Sequence, residues 1–161
     1  MTIPYRGSTG RGTYFITAST FEKVALLQSD RMARLLLDVV LHYREQRKYL
    51  LHEFVIMPNH FHLLITPLAP VTLEKAIQFI KGGFSYRARK ELGFEGEIWQ
   101  TSFHDRRVRD ASEYSGFQQY IYMNPVRKGL ARTPEEFPFS SVTMRLDEVP
   151  QWLKPQLEIA V

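Results

Sequence analysis

The chain has 161 residues, 44% hydrophobic, 13% aromatic and 24% charged, with a formal charge of +4 and no cysteine. Such a length suits one domain with a real core, and the composition excludes wholesale disorder or a fibre. Cysteine-held zinc, a disulfide framework and a thiol nucleophile are excluded, whereas a modest positive charge permits a polyanionic partner without requiring one.

Taken in chain order, residues 1–12 read as a small, basic, glycine-rich lead-in without the apolar stretch of a signal peptide. Tyr14 to Thr20 is aromatic and β-branched and predicts a strand. From Ser29 or Asp30 as cap, Met32, Leu35, Leu36, Val39, Val40 and Tyr43 recur at helical spacing. Leu50–Met57 and His60–Thr66 predict two strands broken at Pro58-Asn59. A second amphipathic helix is expected over 72–90, with Gly82-Gly83 marking a kink or a close approach to a ligand. A short strand is expected within Glu97–Val108. Asp110 and Glu113 resemble a capping box opening a third helix, which should end or kink near Asn124 ahead of Pro125. The order β-α-β-β-α-β-α predicts an α+β two-layer sandwich with a mainly antiparallel sheet, in one domain spanning 1–161 with a core of about 12–142. No apolar run is long enough for a membrane span, which with the missing signal sequence favours the cytoplasm.

Two constellations carry chemistry. In Pro58-Asn59-His60-Phe61-His62, strand alternation turns both imidazoles to one face, within reach of one metal ion. The alternative is a pair of ordinary histidines bonded to the backbone. In Tyr120-Ile121-Tyr122-Met123-Asn124, a helix stacks Tyr120 and Asn124 on one face, although tyrosine and asparagine there are as readily packing and helix termination. Together, two imidazoles and an amide oxygen form an incomplete shell for Mg²⁺ or Mn²⁺, with open positions for a substrate phosphate. A phenol beside such an ion becomes a better nucleophile.

P-N-H-F-H-L-L-I followed by Y-I-Y-M-N-P-V-R-K-G-L, with Trp99–Asp105 (W-Q-T-S-F-H-D) and Phe137–Ser141 (F-P-F-S-S), resembles the HUH single-tyrosine transposases, above all the REP-associated tyrosine transposases. The resemblance covers about residues 12–142 and implies a ferredoxin-like sheet with helices on one face. It implies His60, His62 and Asn124 as metal ligands and Tyr120 as the nucleophile that forms a 5′-phosphotyrosine link on single-stranded DNA beside a hairpin. Asparagine rather than glutamine at position 124 fits the REP-associated branch, in which a monomer is favoured over a homodimer.

Tyr122 should point away from the face of Asn124, and only Tyr120 stands one turn from that residue. Arg87, Arg106, Arg107, Arg127 and Lys128 lie in basic clusters that could hold a DNA backbone, with Arg106 and Arg107 the first choice. Arg6 and Arg11 resemble the family's N-terminal DNA-contacting arm. Tyr5, Tyr14 or Tyr86 could stack on unpaired bases or equally serve as core. The expected setting is cytoplasmic and nucleoid-associated. The rival from another class is a non-catalytic ferredoxin-like single-strand-binding module, and the tail from Asp147 onward is expected to be surface packing.

Overall fold

The structure, a computed structural model, describes residues 12–154. Four strands, β1 (Tyr14–Ser19), β2 (Tyr49–Met57), β3 (His60–Pro67) and β4 (His104–Arg107), alternate with three helices. These are α1 (Asp30–Glu45), α2 (Leu73–Leu92) and α3 (Ala111–Arg127). The strands lie in the order β2-β3-β1-β4, every neighbour antiparallel, which is the ferredoxin-like arrangement.

Strand alternation sorts the side chains. Tyr14, Ile16 and Ala18 of β1 and Phe61, Leu63 and Ile65 of β3 pack under Leu36, Val39 and Val40 of α1 and Ile77, Ile80 and Phe84 of α2. The sheet with α1 and α2 makes the expected two-layer sandwich, but the helices do not all share one face, because α3 carries its own apolar stripe and covers the other side. Tyr14 is core, bonded into this cluster rather than free to meet a base. On the opposite face Phe15, Val55, Met57 and Leu64 meet Tyr114, Phe117 and Ile121 of α3 and Leu153 of the tail. Helix α3 therefore stands over the face that carries the histidines.

The helix starts follow the sequence signals. Ser29 accepts from Met32 N–H, and Asp110 accepts from Glu113 N–H at 2.8 Å. In return a Glu113 carboxylate oxygen accepts from Arg109 N–H at 3.0 Å, one residue before the cap. The third helix does not stop before Pro125 but runs on to Arg127. Pro125 forfeits its own bond to the carbonyl four residues back, but so near the end little helix remains to be disrupted, and later amides still find partners: Lys128 N–H donates to Asn124 O and Leu130 N–H to Pro125 O. Nor does Gly82-Gly83 break α2; a Cβ on Gly83 would come within 2.9 Å of the Tyr43 ring, so the close approach is between two helices. Trp99 fastens the segment ahead of β4, donating to Lys81 O at 3.0 Å and standing edge-on to Phe61 and Phe84.

Two irregularities shape the histidine face. The register of β2 on β3 slips between Leu51 and Glu53, a bulge that turns Glu53 from the α1–α2 side to the α3 side. After α3 the chain returns along β2, where Phe139 O accepts from Ile56 N–H and Ser140 bridges to Val55. Asp147 then accepts from Leu51 N–H and pairs with Arg44 at 2.9 Å, so the early part of the tail is tied to the sheet as packing.

Candidate active site

The register of the sheet builds the site row by row, since residues directly opposite share a face. His62 lies between Thr17 and Val55, and His60 between Ser19 and Met57. One row along, Phe15 lies between Arg106 and Leu64. Arg107 is opposite Tyr14, and alternation directs it to the other face, so the two neighbouring arginines are separated.

The two imidazoles stand 4.8 Å apart between ring centroids. His60 Nδ1 is 2.7 Å from the side-chain oxygen of Asn59, which can only accept. Its proton is therefore on Nδ1, and Nε2 presents a lone pair. Asn59 is itself oriented by donating to Lys23 O. His62 Nδ1 is 2.9 Å from Thr17 Oγ1; with the proton donated to that hydroxyl, its Nε2 is also a free lone pair. Burial, then the nearby charges of Lys128 and Lys23, push the His60 imidazole down to about 4. Burial and the neighbouring His60 push His62 down to about 3, against a hydrogen bond to the Ile16 backbone. Both rings are neutral near pH 7, the form that ligates metals.

Among the described residues, the buried side-chain polar atoms without a hydrogen-bond partner are His62 Nε2 and Asn124 Oδ1. Leaving such an atom unpaired inside a protein costs about 1–3 kcal/mol, so each is an acceptor without the donor or cation that burial calls for. Also among the described residues, no group of three or more His, Cys, Asp or Glu side chains could hold a metal ion. Two imidazoles and an amide oxygen are donors of the kind that could hold a borderline or hard divalent cation.

Tyr120 is 41% exposed, one helical turn before the buried Asn124. Its ring meets His62 edge-on at 5.3 Å and Phe15 edge-on at 5.9 Å. Arg127 lies over the same ring at 4.6 Å and donates to Tyr120 O at 3.1 Å. Tyr122 leaves the opposite flank of the helix: its hydroxyl donates to Glu53 Oε1 at 2.6 Å. Gln118, one turn earlier, donates to Glu53 Oε2 at 3.2 Å, and Ser141 donates to Oε1 at 2.9 Å. Glu53 thus clamps α3 by its far flank and sets the rotation that brings Tyr120 over His62.

Of the basic residues singled out by sequence, Arg106, Arg127 and Lys128 reach the histidine face. Arg87 is paired with Glu91 on α2, in the helical layer of the opposite face, and lines a hollow with Tyr43 and Tyr86 there. Arg6 and Arg11, like Tyr5, lie outside the described residues. Sequence reasoning missed Thr17, Asn59 and Lys23 around the histidines and Glu53 under α3. Asn59 was adjacent to the motif, but the others become neighbours only through strand register and the bulge.

A sheet of this order with two imidazoles on one face and a tyrosine helix above them defines the class of HUH-type single-tyrosine proteins. The model of the family described as "Transposase IS200 like" matches residues 10–124, and the chain belongs to that family. It is similar to the REP-associated tyrosine transposase of Escherichia coli K12, 24% identical over 131 residues covering 81% of this chain and 76% of that one. A Haemophilus influenzae relative is 27% identical over 153 residues, covering 84% of this chain and 82% of its own. Among solved structures, a REP-associated tyrosine transposase bound to a REP hairpin superposes with a TM-score of 0.72 at 25% identity, covering 89% of this chain and 84% of that one.

Proposed function

We propose that this chain cleaves and rejoins single-stranded DNA beside a hairpin, with Tyr120 as nucleophile and His60, His62 and Asn124 as ligands of Mg²⁺ or Mn²⁺. The observation that carries the reading is the pair of unpartnered acceptors, His62 Nε2 and Asn124 Oδ1, next to a half-exposed phenol. When bound, the cation would polarise a phosphate oxygen and offset the charge that develops there.

The chain's own residues do the rest. The Tyr120 hydroxyl oxygen attacks phosphorus, losing its proton to solvent; a Tyr–O–P bond forms, the P–O3′ bond breaks, and the departing 3′ oxygen takes up a proton. The phosphodiester is exchanged, not hydrolysed, so a second 3′-hydroxyl can reverse the step without a nucleotide cofactor. Arg127, stacked on the tyrosine, and Arg106, across the groove beside it, hold the strand by its phosphates. Tyr120 meets His62 of its own chain, an arrangement that suits action as a monomer. The hairpin as substrate rests on the relative solved with one. Such a substrate places the chain's work in the cytoplasm, at the nucleoid.

The test is a denaturing gel on end-labelled imperfect hairpins with single-stranded flanks, run with Mn²⁺, Mg²⁺ or chelator. The expected result is a metal-dependent protein–DNA adduct that disappears in Tyr120→Phe while binding remains. Tight binding with no adduct in the wild type would leave only a binding module, and an adduct that persists in Tyr120→Phe would assign the chemistry to another residue.

A further inference from the structure

Beside Tyr120 opens a groove of about 430 Å³, bounded by Phe15, Arg106, Glu113, Gly116, Phe117 and Tyr120 itself. Its chemistry differs from that of the histidine site next to it. Phe15 and Phe117 stack at 4.5 Å with 9° between their planes, and Phe15 stacks in turn on His62 at 5.1 Å and 17°. Three near-parallel rings therefore run from the histidines to the groove, and Tyr120 closes one end edge-on.

At the rim, the Arg106 guanidinium carbon lies 5.7 Å from the Phe117 ring centre. Arg106 is exposed, and strand pairing with Phe15 fixes where it rises. The helical wall is lowered at Gly116, where an added Cβ would meet nothing within 4 Å. Glu113, the lining carboxylate, is committed to the Arg109 guanidinium at 2.7 Å and accepts from Arg109 N–H ahead of α3 at 3.0 Å.

An aromatic floor, a cation at the rim and, apart from the Tyr120 hydroxyl at one end, walls without an uncommitted polar side chain fit a flat, apolar-faced ligand that carries a negative charge at its edge. Building on the strand-transfer reading above, we propose that the groove seats one unpaired nucleobase. This is the base adjoining the phosphate at Tyr120, laid on the outer face of Phe117, the end of the ladder that no other ring covers, with a phosphate at Arg106. The site would register that a base is present and unpaired, not which base it is, because every base offers a π face. It would also draw the backbone taut across Tyr120, so that phosphorus meets the phenol in one orientation.

The experiment compares two labelled 12-nucleotide strands of equal charge, oligothymidylate and a strand with abasic sites throughout, by fluorescence anisotropy in chelator so that neither is cut. The wild type should prefer the base-bearing strand by about tenfold or more. Gly116→Leu, which fills the groove from the helix, and Phe117→Leu, which keeps bulk but removes the π face, should each cut that preference to about twofold. Both should leave affinity for the abasic strand in place, and thermal unfolding verifies that each variant is folded. Preference undiminished in folded Gly116→Leu and Phe117→Leu would overturn the proposal, as would equal binding of the two strands by the wild type. In either case adduct formation at Tyr120 would still stand as the measure of the catalytic reading. If the wild type binds neither these strands nor the hairpins and forms no adduct, both readings fall together.

Discussion

Phe61 and His62 are neighbours on β3, almost equally buried, and they end on opposite faces of one sheet. Phe61 sits among Trp99 and the apolar side chains of α1 and α2, where its surroundings match its chemistry. His62 sits under α3 with a ring nitrogen that has no partner, and the oxygen of Asn124 on that helix is in the same condition. Across the α1–α2 face the fold gains stability from close-packed hydrocarbon. Across the α3 face it holds neutral imidazoles, an orphaned amide and a half-exposed tyrosine at a cost in stability. On the strand-transfer reading the difference has a reason: the groups left unsatisfied on one face would wait for a ligand, and one sheet can carry them only if its other side supplies the surplus.

The contrast would break most visibly on the apolar face. Phe61→Ala removes a fully buried ring from beneath Trp99 and should destabilise the chain by about 3–5 kcal/mol in urea unfolding. A loss under about 1 kcal/mol would mean that this face is not the stabilising one. On the other face the largest expected loss comes from Glu53. Glu53→Ala leaves Tyr122, Gln118 and Ser141 without their shared acceptor and should cost about 2–3 kcal/mol. Unlike Phe61→Ala, it should also loosen α3, detectable as faster hydrogen exchange in residues 111–127 than in α1. Uniform loss of protection in both helices would argue against a clamp specific to α3.

Acid should find the same face. His60 and His62 are held near 4 and 3, and burial also lowers His52, whereas in the unfolded chain all three titrate near 6.5. Between those limits the unfolded chain binds more protons than the folded one, so stability rises with pH across this window and falls as pH drops below 6.5. Chelator-treated protein should lose about 2 kcal/mol for each of His60 and His62 between pH 7 and pH 5. A flat profile over that range would show that the imidazoles are not held neutral by burial.

Much of the site was legible because it is local. The alternation His60-Phe61-His62 and the one-turn spacing of Tyr120 and Asn124 need only a strand and a helix to become geometry, and caps at Ser29 and Asp110 announce those helices. What could not be read depends on register. Arg106 and Arg107 look equivalent in a row until β4 pairs with β1 and alternation parts them. Glu53 belongs under α3 only because β2 slips by one residue after Leu51, and no residue type signals that bulge. Pro125 misled for a different reason: its effect depends on whether a full turn or only the last amides follow it.

The unpaired acceptors allow a test in the opposite direction from the others. Asn124→Leu replaces a buried amide, whose oxygen has no partner, by a side chain of similar size without a polar atom. In metal-free protein it should raise stability by about 1 kcal/mol while abolishing adduct formation. A clear loss of stability would mean that the amide is satisfied in the folded chain and would remove the main support for a waiting ligand set.

The smallest effect probes how tightly the apolar face is built. Gly82 and Gly83 are adjacent in α2 and should each gain about 0.5–1 kcal/mol of helix propensity on replacement by alanine. Around Gly82 there is open space, so Gly82→Ala should realise that gain. At Gly83 a Cβ would lie 2.9 Å from the Tyr43 ring and 3.2 Å from a Val39 methyl. Tyr43 is itself stacked on Phe79 at 5.1 Å and Val39 is buried, so neither yields without disturbing a neighbour. Gly83→Ala should therefore change sign and destabilise by about 1 kcal/mol, since overpacking outweighs propensity. Equal gains at both positions in thermal unfolding would show slack between α1 and α2, and the claim that this face is closely packed would lose its finest support.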